Sequence, residues 1–168
     1  GLETTTPPKF DEVAPPFAPA KDSPREGPRR LKAGDCGIGT LVPDIALPDL
    51  EGKPHALSAL TNRRPTVIAL ISPSCPVSKR YVPTFARLEK DYQTKGVAFL
   101  FVASNPTDTP TDLRATGLAG PIVRDPENKL QQALGVRSTT DSFVLDAART
   151  LQYRGAIDDQ YGLGYSLE

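Results

Sequence analysis

Two cysteines are the residues of this sequence whose chemistry stands out. Cys36 and Cys75 are the only two in 168 residues, which is too few for a disulfide scaffold or for a cysteine-rich zinc site. Cys75 lies in the stretch SPSCPVSK, where Pro76 follows it directly. Because proline is favoured in the first turn of a helix, this order indicates a thiol at the point where a helix begins.

A thiol at the start of a helix is chemically activated. The backbone N–H groups and the positive end of the helix dipole stabilise the thiolate there, and the thiolate is the nucleophilic form of cysteine. Lys79 and Arg80 add positive charge shortly after Cys75. We therefore expect the pKa of Cys75 to lie below that of an ordinary thiol. The alternative is a small, buried and inert cysteine.

Cys36 has two interpretations. It lies in the stretch GDCGIG, where glycines let the backbone bend closely. In the first interpretation it bridges to Cys75 as a remote resolving cysteine, which requires a Cα separation of about 4.4–6.8 Å. In the second it is a free or intermolecular thiol.

The elements around Cys75 follow from the hydrophobic pattern. Residues 66–71, TVIALI, form a β-branched apolar run, which is typical of a strand buried on both faces. Between residues 77 and 92 the apolar side chains recur every three or four positions, which predicts an amphipathic helix of about 18 residues that ends near Gly96. Pro83 falls inside this helix and is expected to kink it. The sequence thus places Cys75 between a buried strand and a helix.

The remaining segments complete an α/β pattern. A turn is expected at Glu51 and Gly52, inside an extended entry that covers residues 40–60. The segments that follow the long helix are a buried strand, a short helix, a short extended segment, another short helix and two strands, at residues 97–103, 111–118, 121–123, 127–134, 142–146 and 150–154. Strands that alternate with helices and end in a hairpin describe one layered domain with a mixed sheet.

The first 35 residues differ in composition from the rest of the chain. They hold seven of the 18 prolines, many charges and only scattered apolar side chains. A segment with so little to bury is expected to be an extended tail or linker. The alternative is a segment that wraps onto the domain through Phe10 and Phe17. The domain itself is expected over residues 36–168, a length that suits one hydrophobic core.

The charge balance and the apolar runs exclude two classes of partner. Lys and Arg total 20 and Asp and Glu total 20, so the chain has no net positive charge with which to bind nucleic acid or an anionic membrane. The longest apolar run, residues 97–103, is far shorter than the roughly 18 residues that span a bilayer. Residue 1 is not methionine, so we expect that an upstream segment, such as a secretory signal peptide, was removed or replaced and that the protein is periplasmic or otherwise exported.

No metal site and no cofactor are expected. His55 is the sole histidine and lies in a polar turn, so we expect it to be solvated rather than a ligand. Asp158 and Asp159 adjoin one another in a stretch rich in tyrosine. Because adjacent carboxylates repel and point in different directions, we expect a surface turn there instead of an acid-base or metal site.

The motifs around Cys75 resemble those of a known superfamily. Cys-Pro-Val-Ser, followed by Lys79 and then by Pro83 eight residues after the cysteine, resembles the active-site helix of thioredoxins, where a Cys-x-x-Cys pair opens a helix with proline at the same offset. The two buried strands and the stretch at residues 135–146 are similar to those of redoxin domains, the AhpC/TSA-like branch of that superfamily. The resemblance covers about residues 40–157. It implies a thioredoxin-like three-layer α/β/α sandwich with a mixed central sheet.

Two positions depart from the family pattern. Ser78 stands at the position of the resolving cysteine, so Cys75 would attack a partner disulfide and stay in a mixed disulfide until a second thiol releases it. Thr140 stands where the family has a cis-proline beside the sulfur. We expect a trans bond before Thr140, since a non-proline cis bond costs about 2.5–4 kcal/mol. We also expect that the edge of the partner groove is altered.

The last residues resemble an ending found in redoxin domains of large bacterial exported proteins, so we expect the chain to be a trimmed piece of a longer protein.

Three functional hypotheses follow from these residues and from the resemblance. The leading one is an exported, redoxin-like thiol-disulfide oxidoreductase that acts through Cys75 alone, tuned by Pro76 and the helix start. Its partners would be protein thiols or disulfides, or neighbouring domains of a larger exported protein. The alternative is a non-catalytic thioredoxin-fold module that binds a protein. A weaker alternative is a one-cysteine peroxidase, for which the peroxiredoxin resemblance supplies Ser72 as the hydroxyl, whereas Ile68 replaces a proline and Thr140 an arginine.

Overall fold

A computed structural model describes residues 37–136, 141–156, 161–162 and 165–166. All of them belong to one unit, Leu31–Glu168. The tail with Cys36, Thr140 and the carboxylates at 158–159 lie outside the described residues. The interpretations given above for those positions therefore stay predictions.

The described chain alternates strands and helices, as the hydrophobic pattern predicts. In chain order the elements are β1 (Ala46–Pro48), β2 (Pro54–Ala56), α1 (Leu57–Thr61), β3 (Thr66–Ile71), α2 (Pro76–Gln93), β4 (Ala98–Ala103), α3 (Pro110–Arg114), β5 (Ile122–Arg124), α4 (Lys129–Leu134), β6 (Asp141–Leu145), β7 (Leu151–Ala156), β8 (Tyr161–Gly162) and β9 (Tyr165–Ser166). β1 and β2 pair antiparallel around the predicted turn at Glu51 and Gly52. None of the helices in this part of the chain is long and apolar enough to cross a membrane.

A five-stranded mixed sheet forms the centre of the domain. Its strand order is β5-β4-β3-β6-β7, in which β3, β4 and β5 are parallel and β6 and β7 run antiparallel to their neighbours. Ile71, the last residue of β3, pairs with Ala103, the last residue of β4. The loops that follow these two strands therefore leave the sheet side by side, and the first of them carries Cys75.

Helices cover both faces of this sheet. Ile68 and Leu70 of β3 lie in an apolar cluster to which α1 and α4 contribute, whereas Ala69 and Ile71 lie in a second cluster to which α2 and α3 contribute. Complete burial of one such aliphatic side chain stabilises the fold by about 1.5–3 kcal/mol. The predicted three-layer α/β/α arrangement and the burial of β3 on both faces are confirmed.

α2 is held firmly against the sheet by aromatic side chains. It has 18 residues, with Pro83 inside it and with Tyr81 and Phe85 buried. The Phe85 ring meets Phe101 of β4 edge-on, with centroids 5.6 Å apart and planes at 71°, a geometry that adds about 0.5–1.5 kcal/mol to the effect of burial. This packing fixes where the N-terminus of α2 lies relative to the sheet.

Three short elements differ from the sequence-based expectation. α1 begins within the span 40–60 that was expected to be extended. Its first turn is held from outside, because the Ser58 N–H and Oγ donate to the Asp44 carboxylate at 2.8 and 2.7 Å. α3 and α4 are shorter than predicted. Gly117 and Asn128, with φ of 72° and 55°, adopt left-handed conformations inside the predicted spans, and an α-helix cannot contain such residues.

Glu89 joins the last turns of α2 to the loop before β5. The side chain is buried, and its Oε2 accepts the N–H groups of Ala119 and Gly120 at 2.9 Å each. Oε1 is buried with no hydrogen-bond partner among the described residues. Burial raises the pKa of Glu89 above its ordinary value, and the two N–H groups oppose that effect only in part.

Because the pKa of Glu89 is raised, this carboxyl contributes to the pH dependence of the stability of the fold. A group whose pKa is higher in the folded chain contributes its full stability below its pKa in the unfolded chain and loses that contribution as the pH rises through the folded value. We expect the free energy of unfolding of the unsubstituted chain, relative to Glu89→Gln, to fall between pH 4.5 and pH 7. Urea denaturation at both pH values measures this difference, with Asp91→Asn, an exposed carboxylate on the same helix, as the control. An equal difference at both pH values would contradict the expectation.

Candidate active site

Cys75 is the N-cap residue of α2. Its backbone is extended, with φ −88° and ψ 118°, and Pro76 occupies the first helical position. The Lys79 N–H donates to the Cys75 carbonyl oxygen at 2.9 Å, which closes the first turn of the helix. The first turn contains no acidic residue, and Cys75 is half-buried. The thiol therefore sits at the positive end of an 18-residue helix dipole, where negative charge is stabilised.

The residues between β3 and α2 form a tight turn. The Cys75 N–H donates to the carbonyl oxygen of Ser72 at 3.0 Å. Ser72 is buried and Ser74 is exposed, so the turn has an inner and an outer side. Both serines use their side chains to attach this turn to other elements.

Ser78, the residue at the expected resolver position, is buried beneath the turn. It is 2% exposed, and its Oγ accepts the N–H of Ser72 at 2.8 Å. It is the third residue of α2, and the side chains of an N-cap and of the third helical residue adjoin one another. A hydroxyl cannot form a disulfide, so Ser78 stabilises the turn and supplies no second thiol.

Asp108, in the loop after β4, is the main anchor of the turn. Its buried carboxylate accepts the Ser72 O–H at 2.7 Å and the Ser74 N–H at 3.3 Å. Arg124 of β5 donates to the carbonyl oxygen of Asp108 at 2.6 Å. Sequence reasoning missed this residue, because an aspartate in the polar stretch NPTDTP carries no local signal that distinguishes it from a solvated loop residue.

A chain of hydrogen bonds runs along the turn and ends on Asp108. Asn105 Nδ2 donates to Ser74 Oγ at 3.0 Å, and the two serine oxygens lie 3.1 Å apart. Because a carboxylate only accepts, the proton of Ser72 points to Asp108, and Ser74 therefore donates to Ser72. The order is Asn105, Ser74, Ser72, Asp108.

The geometry of Ser72 bears on the peroxidase alternative. Its single O–H proton is donated to Asp108, and a hydroxyl has only one proton to donate. Ser72 cannot at the same time donate that proton to a substrate at Cys75. Ile68, at the place where the peroxiredoxin pattern has a proline, is completely buried in the core.

A cavity of about 550 Å³ adjoins the turn on its outer side. It is formed by Pro73 and Ser74 of the turn, by α2 and by α3, with Lys79 and Asp112 among the lining residues. Lys79 and Arg80 are both exposed. A partner that approaches Cys75 from this side would meet both charged and apolar groups.

His55 differs from the expectation that it would be solvated. It is half-buried, and its Nε2 lies 2.8 Å from Oδ2 of Asp49. This hydrogen bond is the largest of the effects that hold the pKa of Asp49 below its ordinary value. Asp49 Oδ1 also accepts the N–H groups of Glu51 and Lys53 at 2.9 Å. His55 therefore contributes to the β1–β2 turn.

Comparison with known proteins places the geometry in a family. The model of the AhpC/TSA family matches residues 38–154. The thiol-disulfide oxidoreductase ResA of Geobacillus thermodenitrificans is 29% identical over 111 residues, which cover 65% of this chain. The chain spans 63% of the length of that curated relative.

Solved structures agree on the fold. A hypothetical protein of Sinorhizobium meliloti 1021 superposes with a TM-score of 0.67 at 28% identity, covering 78% of this chain and 77% of that one. A secreted disulfide oxidoreductase of Mycobacterium tuberculosis superposes with a TM-score of 0.58 at 14% identity, covering 74% and 88%. The second likeness shows the fold alone. With its three layers, its mixed sheet and a family match over most of its length, the chain belongs to the AhpC/TSA family of thioredoxin-like proteins.

Proposed function

We propose that the protein is a thiol-disulfide oxidoreductase whose nucleophile is Cys75. The observation that carries this proposal is the position of Cys75 as the N-cap of α2, half-buried, with no acidic residue in the first turn. The helix dipole favours the thiolate there, and Pro76 leaves one fewer N–H group to satisfy at the helix start. The likeness to a thiol-disulfide oxidoreductase at 29% identity supports the same reaction class.

The reaction is a thiol-disulfide exchange. The Cys75 thiolate attacks one sulfur of a partner disulfide, a new S–S bond forms to Cys75, and the other sulfur leaves as a thiolate. Cys75 is oxidised and the leaving sulfur of the partner is reduced, so no further oxidant is consumed. Because Ser78 has a hydroxyl, the mixed disulfide persists until a thiol of the partner or of a third molecule attacks it. Cys36 is a further candidate for that role, as predicted from the sequence.

Trapping of the mixed disulfide tests this proposal. We expect the protein, incubated with insulin and quenched with acid, to form a covalent adduct that non-reducing mass spectrometry detects. Cys36→Ala should retain the adduct, whereas Cys75→Ala should lower its yield by about tenfold or more, because only an activated thiolate attacks quickly at neutral pH. An adduct that forms equally well in Cys75→Ala would contradict the proposal.

The partners and the compartment are also part of the proposal. We infer that the partners are protein thiols or disulfides, including those of neighbouring domains of a larger exported protein, and that the protein acts in the periplasm or outside the cell. Protein disulfides, the expected substrates of this exchange, form and persist in oxidising compartments. Fractionation of cells that produce the natural protein checks the compartment, and recovery with cytoplasmic markers would contradict it.

A non-catalytic binding module is the second candidate. The observation in its favour is Ser78, which is buried and hydrogen-bonded to the Ser72 N–H, so the local structure is complete without a second sulfur. Insulin reduction in the presence of dithiothreitol separates the two functions when it is combined with the trapping experiment. A binding module gives neither turnover nor an adduct that depends on Cys75.

Peroxidase action is the weakest candidate, and peroxide consumption no faster than that of free cysteine would remove it.

A further inference from the structure

The loop after β4 makes three hydrogen bonds to the turn that carries the proposed nucleophile. Asp108 is only 4% exposed, yet it belongs to a loop and not to the apolar core. Its carboxylate accepts one side-chain donor and one backbone donor from the same turn. A buried carboxylate is costly unless its oxygens are hydrogen-bonded, so the turn and Asp108 depend on one another.

Asp108 is itself held in place by its neighbours. Its N–H donates to the carbonyl oxygen of Asn105 at 3.1 Å, and Arg124 holds its carbonyl oxygen. Asn105 also reaches the turn through Ser74. The carboxylate on which the bonds from the turn end is therefore held by hydrogen bonds to its own backbone.

We propose that Asp108 is a positioning residue for Cys75, which it serves by anchoring the Ser72–Ser74 segment and by placing a buried negative charge behind the turn. This inference rests on the proposed function, because it concerns the nucleophile of that reaction. The anchor fixes the direction in which the N-cap residue leaves the sheet. The charge opposes the field of the helix start, so that the nucleophile is less acidic than the helix alone would make it.

Other charged groups around the turn are cations or exposed to solvent. Lys79 and Arg80 of α2 are exposed cations near Cys75. Arg124 of β5 donates to the carbonyl oxygen of Asp108, and the exposed Asp112 of α3 accepts the O–H of Thr109, the N-cap residue of α3. Among these groups, Asp108 is the buried anion that is bonded directly to the turn.

Two substitutions separate the anchor from the charge. Asp108→Asn keeps an oxygen that can accept the Ser74 N–H but removes the charge, and Asp108→Ala removes both. The rate of Cys75 alkylation by iodoacetamide, followed by mass spectrometry across pH, gives the titration midpoint of the thiol. In both variants we expect the titration midpoint of Cys75 to fall. At a pH below that midpoint, the thiolate fraction of Cys75 should then rise by about threefold or more. Asp91→Asn, which removes an exposed charge from α2, should leave the midpoint unchanged.

Hydrogen exchange measured by NMR reports on the anchor. In Asp108→Ala the Ser74 N–H should exchange about fivefold faster or more, since a typical hydrogen bond of this kind contributes about 1 kcal/mol. In Asp108→Asn the exchange rate of the Ser74 N–H should stay close to its value in the unsubstituted chain. The amides of β4 serve as an internal reference. If the Asp108 variants fail to fold, Ser72→Ala tests the same anchor with the charge in place. It should speed exchange at Ser74 without lowering the midpoint.

The inference is overturned if the midpoint in both Asp108 variants matches that of Asp91→Asn, or if Ser74 exchanges at the unsubstituted rate in Asp108→Ala or Ser72→Ala. Neither measurement needs a disulfide partner. Failure of the proposed function shows instead as the absence of a Cys75 adduct with insulin in the unsubstituted chain. The two failures are therefore distinguishable.

Discussion

Ser78→Cys is expected to give Cys75 an internal partner with which it forms a disulfide inside α2. The hydroxyl at position 78 lies in the third residue of α2, beneath the turn that carries the N-cap residue. Side chains at these two positions adjoin, and a sulfur at position 78 would be placed to attack the mixed disulfide from inside. In insulin reduction we expect turnover to rise by at least about tenfold, because release no longer waits for an external thiol.

The experiment is best done in a Cys36→Ala background, so that Cys75 has one internal partner only. Oxidation should lower the mass of the chain by that of two hydrogen atoms. Ser74→Cys is a matched control, since it adds the same atom beside Cys75. Consecutive Cα atoms are about 3.8 Å apart, which is shorter than the roughly 4.4–6.8 Å of ordinary disulfides. If Ser78→Cys forms no internal disulfide, or turns over no faster than Ser74→Cys, the placement of position 78 as the resolver site is wrong.

The sequence predicted those parts of the fold that have a strong local pattern. β3 and β4 are continuous apolar runs, and α2 repeats its apolar residues at helical spacing over five turns. The predicted length of α2 agrees with the structure, and so does its start after Cys75. These elements could be recognised because each of them packs against the core along its whole length. That packing requires apolar side chains at every third or fourth residue of the helix and at nearly every residue of the strands.

The short helices could not be predicted in the same way. α1 has five residues and no side-chain cap of its own, and its first turn is held by Asp44, 14 positions upstream of Ser58. Isolated helices of this length are unstable in water, so the helix depends on burial of Leu57 and on bonds from distant residues such as Asp44. A local window of sequence does not contain that information.

The candidate site shows the same division between local and distant signals. Cys75, Pro76 and Ser78 lie within one turn of chain; Pro76 after Cys75 indicated a thiol at a helix start, and the thioredoxin resemblance identified Ser78 as the residue at the resolver position. Asp108 is 36 positions from Ser72, and the two meet only because β3 and β4 are parallel neighbours that end at the same edge. Glu89 likewise finds its donors 30 and 31 positions away. Such pairs depend on strand order, which the sequence pattern left open.

The proposed chemistry depends on the activation of Cys75. The helix start and two nearby cations favour the thiolate, whereas the buried carboxylate of Asp108 opposes it. Cys75 is the N-cap residue of the 18-residue helix α2, where the helix dipole has its largest effect, so we expect the favourable effects to exceed the opposing one. The pKa of Cys75 in the folded chain should then lie below that of the same cysteine in the unfolded chain.

The most direct test is the rate of alkylation of Cys75 by iodoacetamide across pH, measured by peptide mass spectrometry in the folded protein and in urea. If Cys75 is activated, the midpoint is lower in the folded protein, and the thiolate fraction at pH 7 is at least about threefold above that of the unfolded chain. A folded midpoint equal to or above the unfolded one, which is about 8.5 for an ordinary thiol, would contradict the activation of Cys75 and leave a thioredoxin-fold protein without an activated nucleophile.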